Sequence, residues 1–312
     1  MYLESFTLPL EREGDLIQKR MADNISTDPQ KWGTVATLGY IDNEYPCGIF
    51  GPKGLPEIWF RKATIFYGGN GSGKSTLLNL IAAKLGLERI APFNSSELFD
   101  AYAAACGYTA GEDDEGFPQR IPDGSRIITS DDIFDYMLAV RANNAEIEEA
   151  IEDGKEEYRY LREHPETVRF DSMADYEAVR RKILARSKSV SRREFLRRTA
   201  GTEVKLSSNG ETALEYFETK LKNDTLYCLD EPENSMSPAM QLELLRMLTE
   251  KVRYCGCQLI IATHSPFLLS MEGARIYDLD AQPAEIRNWW ELENTKIYYE
   301  FFKKNEGLFE GK

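Results

Sequence analysis

The sequence predicts an α/β chain with a central, mainly parallel sheet flanked by helices, an antiparallel β part at the N-terminus, and a helical insertion. Three observations carry this. The apolar run "EIWFRKATIFY" leads into "GGNGSGKSTLLNLIAAKLG", where apolar spacing changes from strand-like to helical. Later, "TLYCLDE", "SPAMQLELLRMLTEKVRYCG", "CQLIIATH" and a Ser-Pro helix start alternate strand, helix, strand, helix, which implies parallel pairing. Between these halves lies a charged, helix-prone stretch, acidic first ("AEIEEAIEDGKEE") and then basic ("VRRKILARSKSVSRREFLRR").

Taken in order, "YLESFTL" and "EIWFRKATIFY" read as strands, with turns at "DNEYPCG" and "GPKGLP". Leu77, Leu78, Leu80, Ile81 and Leu85 share one helical face, and Gly86 suits the C-terminal cap. Residues 106–125 read as loop, "SRIITS" as a strand and "DDIFDYMLAVRA" as a helix. Ser237 and Pro238 suit the N-cap and first position of a further helix. The expected organisation is residues 1–140 as the N-terminal part of one domain, 141–205 as an inserted lobe, and 206–312 as the C-terminal part.

A chain of 312 residues can bury a substantial core. Its apolar runs are strand length, short of the roughly 20 residues a membrane helix needs. The N-terminus lacks the basic-then-apolar pattern of a signal peptide, so a cytoplasmic protein without a membrane partner is expected. Five irregularly spaced cysteines read as reduced thiols, and Cys255-Gly-Cys257 as a helix-end turn rather than a metal site. The net charge of −14 argues against general nucleic-acid binding. The charge is uneven, however: Arg180 to Arg198 holds nine Lys/Arg and one Glu, so this stretch is +8 and the rest −22.

"GGNGSGKS", Gly68 to Ser75, fits the phosphate-loop pattern G-x-x-x-x-G-K-[ST], with a strand before it and a helix after it. Gly68, Asn70, Gly71, Ser72, Gly73, Lys74, Ser75 and Thr76 are the candidate nucleotide-binding residues. The glycines let backbone N–H groups converge on phosphate oxygens, and the helix N-terminus adds partial positive charge. Lys74 would reach the β- and γ-phosphates of ATP, and the Ser75 hydroxyl would ligate Mg²⁺. "TLYCLDEPE" delivers Asp230 to the sheet edge as a second Mg²⁺ ligand, with Glu231 placed to polarise an attacking water. His264 ends the next strand, 34 residues after Asp230, and is the third candidate catalytic group beside Lys74 and Glu231.

Together these motifs resemble the ATP-binding-cassette (ABC) ATPases. "EPENSMSP", "IIATHSP" and "SSNGE" are closest to the RecF, SMC and overcoming-lysogenization-defect style, and to the stand-alone proteins labelled AAA family ATPases. The resemblance covers about residues 45–135 and 205–312. It implies a P-loop NTPase fold with an ABC-ATPase-like core, and ATP hydrolysis in a head-to-tail homodimer. It also makes "LSSNGET" the signature loop, with Ser208 and Gly210 meeting the γ-phosphate of the other subunit. The glutamine that usually links nucleotide to accessory lobe is open between Gln119 and a replacement by Ser130 or Asp131. Tyr40, Tyr45 and Phe50 are candidates to stack on adenine. With 48 residues after His264, the nuclease domain of overcoming-lysogenization-defect proteins is not expected here.

Two functions follow as expectations. One is an ATP-gated switch acting on DNA, in repair or anti-phage defence, through residues 180–198. The other is an ATP-driven regulator of a protein effector such as a toxin or nuclease. An ABC transporter subunit fits less well, because transporter signatures read L-S-G-G-Q. Trp289, Trp290 and the aromatics Tyr298, Tyr299, Phe301 and Phe302 could join a docking surface, but their spacing reads first as core.

Overall fold

The computed structural model describes residues 1–9, 17, 45–93, 95–113, 115–164, 175–199 and 208–309. They form two compact units, one of Met1–Ile133 with Ala213–Lys312 and the other of Phe134–Thr212.

The first unit holds two sheets. A three-stranded antiparallel sheet has the order β2-β1-β4, with β1 at Leu3–Thr7, β2 at Glu57–Trp59 and β4 at Gly107–Ala110. A six-stranded sheet has the order β5-β6-β7-β3-β8-β9. Its strands are β3 (Ala63–Tyr67), β5 (Arg126–Ile128), β6 (Leu226–Asp230), β7 (Gln258–Ala262), β8 (Arg275–Asp278) and β9 (Glu285–Ile286). All pairings are parallel except β8 with β9. The run "EIWFRKATIFY" is therefore two strands in two different sheets. β2 alternates, with only Ile58 buried, whereas all five residues of β3 are buried, as befits a central parallel strand. The stretch 106–125, expected as loop, contributes β4.

Helix α1, Lys74–Leu85, buries Leu77, Leu78, Leu80 and Ile81. They join Phe6 and Ile58 from the small sheet and Phe66 and Ile260 from the large one in a single core. Gly86 closes α1 with φ 64°, a left-handed cap whose N–H returns to Ala82 and Ala83. Helix α2 spans Glu97–Ala105, capped by Ser96.

Gln258 fastens the sheets together. Its Oε1 accepts from the N–H groups of Tyr2 and Leu3 at 2.9 and 2.8 Å, and its Nε2 donates to Leu3 O at 2.7 Å and Arg61 O at 3.3 Å. One buried amide at the start of β7 thus satisfies backbone groups of β1 and of the chain entering β3.

Helix α3, Ser130–Glu163, is followed by α4 (Tyr176–Arg186), α5 (Arg192–Thr199) and α6 (Asn209–Lys220). The second unit has its own small core of Tyr158, Ala185 and Phe195. The Tyr158 and Phe195 rings lie 5.2 Å apart. Gly154 allows this packing, since a Cβ there would stand 2.9 Å from Leu196 Cδ2.

The C-terminal part of the first unit adds α7 (Pro238–Tyr254), α8 (Pro266–Leu269), α9 (Glu293–Lys304) and α10 (Glu306–Phe309). Ser237 caps α7 by accepting from Met240 N–H, with Pro238 at the first turn. Among the described residues, no helix is long and apolar enough to cross a membrane.

Gln258→Leu should cost about 3 kcal/mol or more, because several buried backbone groups lose their partner at once. Chemical denaturation measures this, and a loss under about 1 kcal/mol would mean that water replaces the amide.

Candidate functional site

The register of the large sheet builds the site. Asp230 on β6 and Phe66 on β3 both pair with Ala262 on β7. The three chains therefore leave the sheet side by side, and Gly68, Glu231 and His264 follow within two residues of that level. This is the carboxyl edge, where parallel α/β sheets carry their ligand sites.

The phosphate loop has the backbone that its sequence demands. Gly71 and Gly73 have φ of 80° and 92°, a region that favours glycine. A Cβ on Gly73 would lie 2.9 Å from Ile49 Cγ2, and one on Gly68 would lie 2.6 Å from Ser72 Oγ. Lys74 is 5% exposed and folds back over the loop, donating to the carbonyls of Gly68 and Gly69 at 2.8 and 3.1 Å. Burial lowers its pKa, against the opposing pull of Glu231 and Asp230. Ser72 Oγ is buried without a hydrogen-bond partner, a donor suited to an anion in the loop.

Ser75 Oγ donates to Asp230 Oδ1 at 3.0 Å. Burial pushes the Asp230 carboxyl up to about 6, with the Ser75 bond opposing. A hydroxyl and a half-buried carboxylate side by side are hard oxygen donors, and among the described residues no Lys or Arg forms a direct ion pair with the carboxylate. The pair fits Mg²⁺.

Glu231 has φ 48°, so the chain reverses as it leaves β6. Its N–H donates to Ala262 O at 2.9 Å. Its carboxylate receives Asn234 Nδ2 at 3.1 Å and lies 3.4 Å from His264 Nε2. That imidazole nitrogen is buried and makes no hydrogen bond, so it is poised for a further partner.

Three site residues were not legible in the sequence. Glu233 is buried, and its Oε1 accepts from Thr263 Oγ1, from His264 N–H at 2.9 Å and from Ser265 N–H at 3.1 Å. It therefore clamps the His264 loop to the end of β6. Asp280 receives the Gly69 N–H at 2.6 Å and pins the start of the phosphate loop. Asn234 orients Glu231. The second Glu of "EPE" and the second Asp of "YDLD" were the available signals.

Gln119 lies elsewhere. It accepts from the Met1 ammonium at 3.1 Å, and the neighbouring Tyr2 bonds to Gln258 and Gly256 at the opposite end of β7. Ser130 and Asp131 follow β5, whose Ile128 pairs with Leu229, so they sit at the carboxyl edge. Phe50 is core and Tyr45 stacks on Phe99 at 5.9 Å, while Tyr40 is outside the described residues. Cys255 and Cys257 form no metal cluster, and none is present among the described residues.

Ser208 and Gly210 belong to the second unit. Ser208 caps α6 in a reciprocal capping box. Its Oγ accepts from Glu211 N–H at 3.3 Å, and its own N–H donates to Glu211 Oε2 at 2.7 Å. Its hydroxyl proton thus remains a donor at a helix N-terminus. Leu206 and Ser207 lie outside the described residues.

Sheet topology, phosphate loop and Asp-Glu strand define the class, an α/β fold with a P-loop at the carboxyl edge of a mainly parallel sheet. Residues 206–270 match the family described as "AAA domain, putative AbiEii toxin, Type IV TA system". No curated protein matches the chain in sequence. Among solved structures, the SMC head domain from Thermotoga maritima is 14% identical over 92% of this chain and 99% of its own, with a TM-score of 0.39. A dimeric bacterial ABC transporter cassette is 13% identical over 74% and 88%, with a TM-score of 0.35. An ATP-binding cassette in a dimeric post-hydrolysis state bound to ADP and Pi gives 14%, 74%, 88% and 0.34.

Two predictions follow from the carboxylates. The folded protein holds the Asp230 proton more tightly than the unfolded chain, whose ordinary value is 3.8. Stability without nucleotide should therefore fall as pH rises from about 4 through about 6. Asp230→Asn should flatten that fall and gain roughly 2 kcal/mol at pH 8, measured by denaturation in chelator. Glu233→Ala should cost about 3 kcal/mol, whereas Glu233→Gln, which keeps the acceptor oxygen, should stay within about 1 kcal/mol. Equal losses for both would mean that the clamp needs the negative charge.

Proposed function

We propose that the chain binds ATP with Mg²⁺ and hydrolyses it between two copies packed head to tail, as a switch acting on DNA. The observation that carries the nucleotide chemistry is the 3.0 Å pairing of Ser75 with Asp230, beside buried Lys74 and the Glu231–His264 pair. Gly68 to Thr76 would cradle the phosphates, with Lys74 moving from its own loop carbonyls to the γ-phosphate. Ser75 and Asp230 would hold Mg²⁺, which supplies charge neutralisation on the phosphate oxygens. Glu231 would accept the proton of the attacking water, and His264 would donate to the γ-phosphate through Nε2. Ser208 and the N–H groups around Gly210 would meet that phosphate from the second copy.

The DNA part of the reading rests on residues 180–198. Arg186, Lys188 and Arg192 are exposed along α4 and α5 and the turn between them. Arg180, Arg181 and Arg198 instead pair with Glu177, Glu157 and Glu194. That partial neutralisation favours the second reading, an ATP-driven regulator of a protein effector. The toxin–antitoxin description of the family matched over 206–270 is consistent with it.

Glu231→Gln should bind ATP yet turn over at least about 100-fold more slowly, and should accumulate as a nucleotide-bound dimer in light scattering. A monomer at saturating ATP would refute the shared site. Replacing Arg186, Lys188, Arg192 and Arg193 with Ala should weaken duplex binding strongly at low salt and flatten its salt dependence. Unchanged affinity would shift the function to the protein effector.

A further inference from the structure

Of the aromatic residues expected as core, Tyr298, Tyr299, Phe301 and Phe302 are on the surface. After Leu292 and Thr295, both buried, every residue of α9 from Lys296 to Lys304 is exposed. The helix is rooted beside the phosphate loop, where Asn294 N–H donates to the Tyr67 hydroxyl at 3.1 Å. Beyond that root, Ile297, Tyr298, Phe301 and Phe302 form one broad apolar face, and Leu308 and Phe309 of α10 extend it, all at least half exposed. Lys296, Glu300 and Lys303 occupy the other side, while Lys304, seven residues from Ile297, flanks the apolar face together with Glu293. With Tyr299, 64% exposed, the apolar surface is on the order of 800 Å². The largest patch on an ordinary monomer is about 300–600 Å². A stable interface needs about 800 Å² from each partner.

We propose that α9 and α10 are a dimerisation arm whose occupant is the same arm of a second copy, laid antiparallel. Charge selects both partner and direction. Glu293 lies in the first turn of α9, and Lys303 and Lys304 lie in the last. In an antiparallel pair each Glu293 meets Lys304 at the edge of the other helix's apolar face, with Lys303 adding positive charge at that end, and a two-fold axis repeats the contact. A parallel pair sets lysine against lysine. An anionic lipid surface calls for a basic polar face, and here Glu293, Glu300 and Glu306 offset Lys296, Lys303 and Lys304. This contact goes beyond the ATP-dependent dimer, because nothing in it requires nucleotide.

The test is sedimentation equilibrium of the full chain in chelator without nucleotide. The wild type should be a dimer. Phe301→Glu with Phe302→Glu should weaken it at least about 30-fold while leaving the thermal transition in place, because both positions are exposed. Glu293→Lys should weaken it, and adding Lys303→Glu with Lys304→Glu should restore it. A nucleotide-free monomer, a dimer indifferent to the phenylalanine substitutions, or sedimentation of a monomer with anionic vesicles would each overturn the arm. The ATP-dependent reading is separated by adding Glu231→Gln to the double phenylalanine variant. Dimerisation of that protein only with ATP supports the shared nucleotide site whatever the arm does.

Discussion

The structure depends on how it handles the carboxylates at the end of β6. Asp230 is half-buried and Glu233 buried, and among the described residues neither forms an ion pair with Lys or Arg. Burial raises both pKa values, but the two are compensated differently. Glu233 receives two N–H groups and a hydroxyl on one oxygen. Asp230 receives the Ser75 hydroxyl. The well-bonded carboxylate has the features of a structural clamp. The less fully bonded one has the features of a group suited to a cation, since a partly desolvated carboxylate with a single hydrogen bond is costly to keep charged.

That edge is held in place by features remote from it. Parallel pairing in the order β6-β7-β3 makes the phosphate loop, the Asp-Glu turn and the His264 turn neighbours, although some 195 residues separate the first from the last (264 − 69). At the other end of β7, Gln258 ties the large sheet to β1, and α1 fills the space between the sheets with leucine. A shift in this register would separate Ser75 from Asp230. The same packing that supplies stability therefore sets the geometry at the phosphate loop.

The parts of this architecture visible in sequence are those written in local patterns. Gly68 to Ser75 has a fixed spacing because the backbone itself is the binding surface, and α1 announces itself by leucine periodicity and the Gly86 cap. β2 and β3 were read as one run because three unremarkable residues, Phe60 to Lys62, carry the chain from one sheet to another. Glu233 could not be read as a clamp, since its partners are a hydroxyl and two backbone N–H groups 30 to 32 residues away. Gln119 had suitable spacing but depends on tertiary position, and the Met1 ammonium holds it at the wrong end of β7. The C-terminal aromatics have the spacing of a core helix. Only the fold shows that no described part of the first unit covers them.

The backbone at Glu231 explains how two adjacent carboxylates can take different parts. In a continuing strand their side chains would alternate across the sheet, one of them buried among helices. Instead β6 stops at Asp230, and Glu231 adopts a left-handed φ of 48°, a conformation costing a non-glycine residue about 1 kcal/mol or more. The bond from its N–H to Ala262 O holds this turn against that cost. As a result Asp230 stays with Ser75, while Glu231 is handed to Asn234 and His264. The proposed metal ligand and the proposed proton acceptor need different neighbours, and a single strained residue is enough to provide them.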